Sequence, residues 1–129
     1  MDKIKVAICD DAPYVIDCLK MKMDWPEIEV TGISYSALDC INMLSSANAD
    51  VLLIDIQMET PTAGIDIIPS VKSAFPNLKI IMLTSFDDEN YIFKAFSQGA
   101  DNYILKSFDI DICKTIKDTF YNKTAFFTL

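Results

Sequence analysis

The stretch Val51-Leu52-Leu53-Ile54-Asp55 decides the fold. Four apolar residues in a row, closed by an acid, read as a strand covered on both faces, because a half-solvated strand alternates instead. Strands of that kind belong to parallel sheets flanked by helices. The pattern recurs on either side. Ile4-Lys5-Val6-Ala7-Ile8-Cys9 stops at Asp10-Asp11, and Lys79-Ile80-Ile81-Met82-Leu83 stops at Thr84. A shorter run, Asn102 to Leu105, stops at Lys106. Glu27 to Ser34 differs: Ile28 and Val30 alternate with Glu29 and Thr31, the pattern of an edge strand.

Helical periodicity fills the gaps. Ala12 to Met23 carries Val15, Ile16, Leu19 and Met23 in register, with Pro13 in the first turn and Pro26 beyond the end. Ser36 is the expected N-cap of a helix to Ser45 with Leu38, Ile41 and Leu44 inward. Gly64 to Ala74 repeats Ile65, Ile68, Val71 and Phe75, but Pro69 inside it predicts a late start or a kink. Asp87 and Asp88 offer caps for Glu89 to Gln98, where Ile92, Ala95 and Phe96 share a face and Gly99 closes the helix. The last helix is expected from about Asp109 to Tyr121, with Ile112, Cys113, Ile116 and Phe120 inward. Five strand-helix units in strict alternation predict an α/β, flavodoxin-like (βα)5 sandwich of three layers. Its parallel five-stranded sheet has the order 2-1-3-4-5.

Composition narrows the function. The 129 residues make one domain. Residues 1–121 are assigned to it, and 122–129 to a tail or the start of a linker. No apolar run approaches the ~18 residues of a membrane span, and the run after Met1 is too short for a signal peptide. A cytoplasmic chain with no membrane role is expected. Nineteen acids against eleven lysines leave a net charge of −8, which argues against direct nucleic-acid binding. Histidine is absent, which removes Ser-His-Asp and Cys-His catalysis and His-ligated zinc. Cys9, Cys18, Cys40 and Cys113 form no C-x-x-C pair and read as buried free thiols in a reducing compartment.

In a sheet of this order, sites form at the carboxyl ends of the strands. There stand Asp10 and Asp11, Asp55, Thr84 and Ser85, and Lys106. Three crowded carboxylates repel, so one is forced to protonate unless a cation sits among them. Lys106 supplies one charge. Oxygen donors without sulfur or imidazole point to Mg²⁺ or Mn²⁺ for the rest.

From Lys3 to about Tyr121 the chain resembles a receiver domain of two-component response regulators. The resemblance rests on Asp10-Asp11, the run Val-Leu-Leu-Ile-Asp55-Ile-Gln-Met, Met-Leu-Thr84-Ser85 and Tyr103-Ile-Leu-Lys106. Ser85-Phe86-Asp87-Asp88-Glu89 and Gly99-Ala100-Asp101-Asn102-Tyr103 are similar to the NarL/LuxR-type subgroup. The resemblance implies that Asp55 is the phosphoacceptor, a nucleophile that forms an acyl phosphate. It implies Mg²⁺ on Asp11, Asp55 and the backbone carbonyl of Gln57, with Asp10 reaching the ion through water. Lys106 and Thr84 would each meet a phosphoryl oxygen, with Ser85 as the small residue beside them. Thr84 and Tyr103 would form the switch, read out on the face of the fourth helix, fifth strand and last helix. A half-buried edge tyrosine is the plainer reading of Tyr103. The implied partners are a sensor histidine kinase, a C-terminal helix-turn-helix output domain beyond this chain and, on phosphorylation, a second copy. The chain would then be a signalling domain rather than an enzyme, with self-catalysed phosphotransfer and slow autodephosphorylation, serving transcription regulation.

Three features depart from the family pattern. Ser107 follows Lys106 where many receivers carry proline, so a trans bond is expected. Met58 is followed by Glu59 rather than proline, in a longer loop before Gly64. Gln57 stands where side chains tune phosphate lifetime, and an intermediate lifetime is expected. Rival readings are an FMN-binding flavodoxin, which the acids after strand 1 disfavour, and an aspartyl-phosphate hydrolase, which would carry a second Asp where Gln57 stands. A third is a stand-alone receiver-like interaction module that works without phosphorylation.

Overall fold

The computed structural model describes residues 2–85, 89–107 and 111–121. The elements run β1 (Ile4–Cys9), α1 (Pro13–Lys22), β2 (Ile28–Ser34), α2 (Ala37–Ala47), β3 (Val51–Asp55), α3 (Ala63–Asp66) and α4 (Ile68–Ala74). They continue with β4 (Lys79–Thr84), α5 (Glu89–Gln98), β5 (Asn102–Leu105) and α6 (Ile112–Phe120). The strands form one sheet in the order β2-β1-β3-β4-β5, each neighbouring pair parallel. All five residues of β3 are buried, as its unbroken apolar run requires.

Alternate residues of the strands feed two cores. On one face Val6, Ile8, Leu53, Ile81 and Ile104 pack with α1 and α6. On the other, Ala7, Cys9, Leu52, Ile54 and Met82 pack with α2, α3, α4 and α5. Each fully buried Ile, Leu or Val contributes about 1.5–3 kcal/mol, so this double-sided burial is the main stabilising term. β2 is an edge strand, and its register against β1 slips between Val6 and Ala7. Val30 pairs with Val6 and Gly32 with Ala7, which leaves Thr31 as the extra residue of a bulge.

Several helix details differ from the sequence expectation. The stretch from Gly64 to Ala74, expected as a helix with a late start or a kink at Pro69, is two helices. Pro69 has no N–H for the Ile65 carbonyl and its ring would strike it, so the helix breaks at Ile67. α2 buries Ala37, Cys40, Leu44 and Ala47, while Leu38 is 86% exposed. The inward stripe therefore lies one position away from Leu38. α6 starts at Ile112 rather than near residue 109, because the Asp111 side chain accepts from the Lys114 N–H at 3.1 Å and caps it. Its buried side includes Thr119, with Phe120 only partly covered. Cys18 is half-buried; Cys9, Cys40 and Cys113 are buried, and all four are free thiols. The expected caps Asp87 and Asp88 and the tail 122–129 lie outside the described residues.

Other expectations hold. Ser36 caps α2, accepting from the Asp39 N–H at 3.2 Å. Pro13 opens α1. Gly99 closes α5 at φ +121°, a conformation that side chains rarely adopt. The Lys106–Ser107 bond is trans, since no described peptide bond is cis. Among the described residues no helix is long and apolar enough to cross a membrane.

Candidate functional site

Each strand delivers its terminal group to the same edge. Asp10 follows β1, and its N–H extends the ladder to the Ser34 carbonyl at 3.1 Å. Its Oδ1 accepts from the Ala12 N–H at 2.9 Å, which turns the chain toward α1. Asp11, next along, is exposed. Asp55 ends β3 and is 5% exposed. Thr84 ends β4 and is buried, with Ser85 exposed beyond it. Lys106 follows β5, its N–H bound to the Thr84 carbonyl at 2.8 Å. Strand β2 stays out of the group: the Ser34 hydroxyl donates to the Ser36 carbonyl instead.

The groups converge as expected. Lys106 Nζ lies 2.9 Å from Asp10 Oδ2 and 3.0 Å from Asp55 Oδ2. Carboxylate oxygens of Asp10, Asp11 and Asp55 lie within 4.8 Å of one another. One ammonium thus faces three acids. Burial and the Asp10 charge push the Asp55 carboxyl up to about 6, against the opposing hydrogen bond and charge of Lys106. Burial alone would lower the Lys106 ammonium, but its bonds and charge contacts with Asp10 and Asp55 raise it above the ordinary lysine value.

Asp10 Oδ2 is buried and has no aligned hydrogen-bond donor, despite its ion pair with Lys106. A buried carboxylate oxygen whose ion pair is poorly aligned, in an all-oxygen set with three acids, fits a hard divalent cation such as Mg²⁺ or Mn²⁺. Asp11 and Asp55 border a cavity of about 300 Å³, lined also by Gln57, Thr84, Ser85 and Lys106.

Sequence reasoning missed some residues here. Tyr14, Met58 and Tyr91 also line the cavity, and nothing in their local pattern marks them. Gly64 is different. A Cβ there would lie 1.8 Å from the Asp55 carbonyl oxygen, and the Gly64 N–H bonds the Ile56 carbonyl at 2.9 Å. Only glycine lets α3 start against the end of β3. The chain has just three glycines, so their rarity was a usable signal. Tyr103, on β5, is half-buried and meets Phe96 edge to face, with ring centroids 6.3 Å apart. Its register partner is Met82, two residues before Thr84. Tyr103 and Thr84 therefore share a sheet face, opposite to that of Ile104.

A family model described as the response regulator receiver domain matches residues 6–117. The chain belongs to that family. This receiver domain is 37% identical over 106 residues to the uncharacterized transcriptional regulatory protein YxjL of Bacillus subtilis, covering 81% of this chain and 48% of YxjL. It is 33% identical over 125 residues to the response regulator protein VraR of Staphylococcus saprophyticus, covering 95% of this chain and 59% of VraR. The receiver domain thus spans about half the length of the curated relatives it matches. Among solved structures, the isolated receiver domain of RcsB from Salmonella enterica serovar Typhimurium, in the presence of a phosphomimetic beryllofluoride, is similar at TM-score 0.74 and 27% identity. That match covers 82% of this chain and 79% of the RcsB chain.

Proposed function

We propose that this receiver domain is a phosphorylation switch. Asp55 accepts a phosphoryl group from a sensor histidine kinase, and a C-terminal helix-turn-helix output domain reads the result as transcription regulation. The observation that carries this reading is the Asp55 carboxylate, 3.0 Å from Lys106 Nζ within a cluster of three acids. An Asp55 oxygen forms the new bond to phosphorus. The bond from phosphorus to the donor nitrogen breaks, and the imidazole leaves with its electron pair. With its carboxyl at about 6, Asp55 is mostly ionised at neutral pH and needs no separate base. Lys106 meets a phosphoryl oxygen as a point charge.

Asp10, Asp11, Asp55 and the Gln57 backbone carbonyl would hold Mg²⁺ or Mn²⁺. Bound there, the ion offsets the carboxylate charge and shields the transferring phosphoryl oxygens. Thr84 donates its hydroxyl to a phosphoryl oxygen, with Ser85 leaving room beside it. Tyr103 shares the face of Thr84 and fills the space that Thr84 leaves, so phosphorylation favours one of two packings. The reporting face is α5, β5 and α6, and a second phosphorylated copy is a candidate partner there. The domain occupies residues 1–121, with 122–129 leading to the output domain. The RcsB receiver domain, solved in the presence of beryllofluoride as a phosphomimetic, supports the reading.

Intact-mass spectrometry tests it, after incubation with Mg²⁺ and acetyl phosphate. The wild type gains about 80 Da, one phosphoryl group, and chelator abolishes the gain. Asp55→Asn gains nothing. A wild type that gains no mass and binds no beryllofluoride overturns the reading in favour of an interaction module that works without phosphorylation.

A further inference from the structure

The loop 57–62 carries Gln57 and has no regular structure before α3 begins at Ala63. Internal bonds shape it: Met58 N–H to the Thr60 carbonyl at 3.1 Å, and Ala63 N–H to the same carbonyl at 3.3 Å. The Gln57 backbone also hydrogen-bonds the Asp55 carboxylate at the end of β3, and two side chains reach further. Met58 Sδ lies 3.6 Å from the Cys9 thiol. Glu59 makes the stronger tie. Its Oε1 accepts from the Ala37 N–H at 2.8 Å and its Oε2 from the Leu38 N–H at 2.9 Å.

Those donors are the first two of α2, which have no partner within the helix. Ser36 takes the third, from Asp39. The Glu59 carboxylate sits at the positive end of the helix dipole, and both of its bonds are charge-assisted. The two backbone bonds hold its pKa below the usual carboxylate range. α2 is a firm anchor. Cys40 and Leu44 are in the core, and a Cβ on Gly32 would lie only 2.7 Å from both Ala47 and Met43, so the helix lies close on β2. The loop that lacks the family's proline is thus clamped from outside, two residues past Gln57.

We infer that Glu59 is a positioning residue of the phosphorylation site: by gripping the N-terminus of α2 it sets the backbone of Gln57 and Met58 against Asp55. The inference rests on the proposed function, since it assigns Glu59 a role in presenting the Gln57 carbonyl to the divalent ion. Glu59 touches neither the acids nor the phosphoryl group. It acts only through the loop.

Ser36 provides the control. Ser36→Ala removes a cap from the same helix end and leaves the loop clamp in place. Glu59→Ala removes the clamp. Both variants lower the melting temperature if α2 is all that matters. The deciding readouts are the dissociation constant for Mn²⁺, followed by the electron paramagnetic resonance of the unbound ion, and amide hydrogen exchange at Gln57 and Met58. The clamp predicts that Glu59→Ala weakens Mn²⁺ binding about tenfold and speeds exchange at those amides. Ser36→Ala changes neither by more than about twofold, and Glu59→Gln, which keeps one acceptor oxygen, falls between. Wild-type affinity and exchange in a Glu59→Ala protein that melts like Ser36→Ala overturn the inference and leave Glu59 a helix cap. A wild type that takes up no Mn²⁺ overturns the metal reading of the site and the inference with it.

Discussion

Two lysine-aspartate groups stand at opposite ends of β4 and β5, and they are built to different rules. At the amino ends, Lys72 of α4 donates to the Leu78 carbonyl at 2.7 Å and to Asp101 Oδ2 at 2.9 Å. The same Asp101 oxygen accepts from the Ile80 N–H at 2.8 Å. One cation meets one anion, and each also meets a backbone group. At the carboxyl ends, Lys106 is the one cation among the described residues that pairs with Asp10 and Asp55, with Asp11 beside them, and Asp10 Oδ2 has no aligned donor. The first group is closed in charge, one to one, and pins α4 to the sheet. The second is short of positive charge, and the proposed cation and phosphoryl chemistry rests on that deficit. The residue types are the same; stoichiometry and satisfaction separate structure from chemistry.

The largest expected effect breaks the open group. Lys106→Met removes its one cation, and the rate of phosphorylation by acetyl phosphate falls about 100-fold or more, read from the time course of the mass gain. Lys72→Met leaves that rate unchanged. Next comes the ion. Mg²⁺ at about 100 times its dissociation constant stabilises the native state by about 2.7 kcal/mol, seen as a rise in melting temperature. The rise persists in Lys72→Met and disappears in Asp11→Asn. If Asp11→Asn keeps the full rise, the ion binds elsewhere.

The closed group yields a stability effect. Lys72→Met leaves Asp101 partly buried without its cation and costs about 1–3 kcal/mol, measured by urea unfolding. An unchanged urea midpoint would remove the structural role given to this pair. A further effect is in pH, measured in chelator. The folded Asp55 carboxyl stands at about 6 and the unfolded one near its ordinary value of 3.8. Between these values the native state holds more protons than the unfolded state, so stability falls as pH rises from about 4 to about 6. Asp55→Asn removes this slope.

Much of this was legible in the chain, because the signals are local. The apolar runs ending at Asp10, Asp55, Thr84 and Lys106 announced the strands and their terminal groups. Alternation of strands and helices then left few topologies. Local chemistry also announced Ser36 as a cap, Pro69 as a break and Gly99 as a stop. Exposed Leu38 was misread because periodicity shows which residues can share a face, while only the packing of α2 on β2 chooses the face.

The sequence by itself determined the elements, their order and the groups that meet at the sheet's carboxyl edge, since a strand's end is written in its own residues. Tertiary structure alone decided the rest. It placed Tyr14, Met58 and Tyr91 around the cavity, set Asp10 Oδ2 against Lys106 without an aligned bond, and joined Lys72 to Asp101. It also carried Glu59 to the N-terminus of α2, a contact between residues 22 positions apart. Such pairings depend on how separate elements dock, and no window along the chain contains both partners.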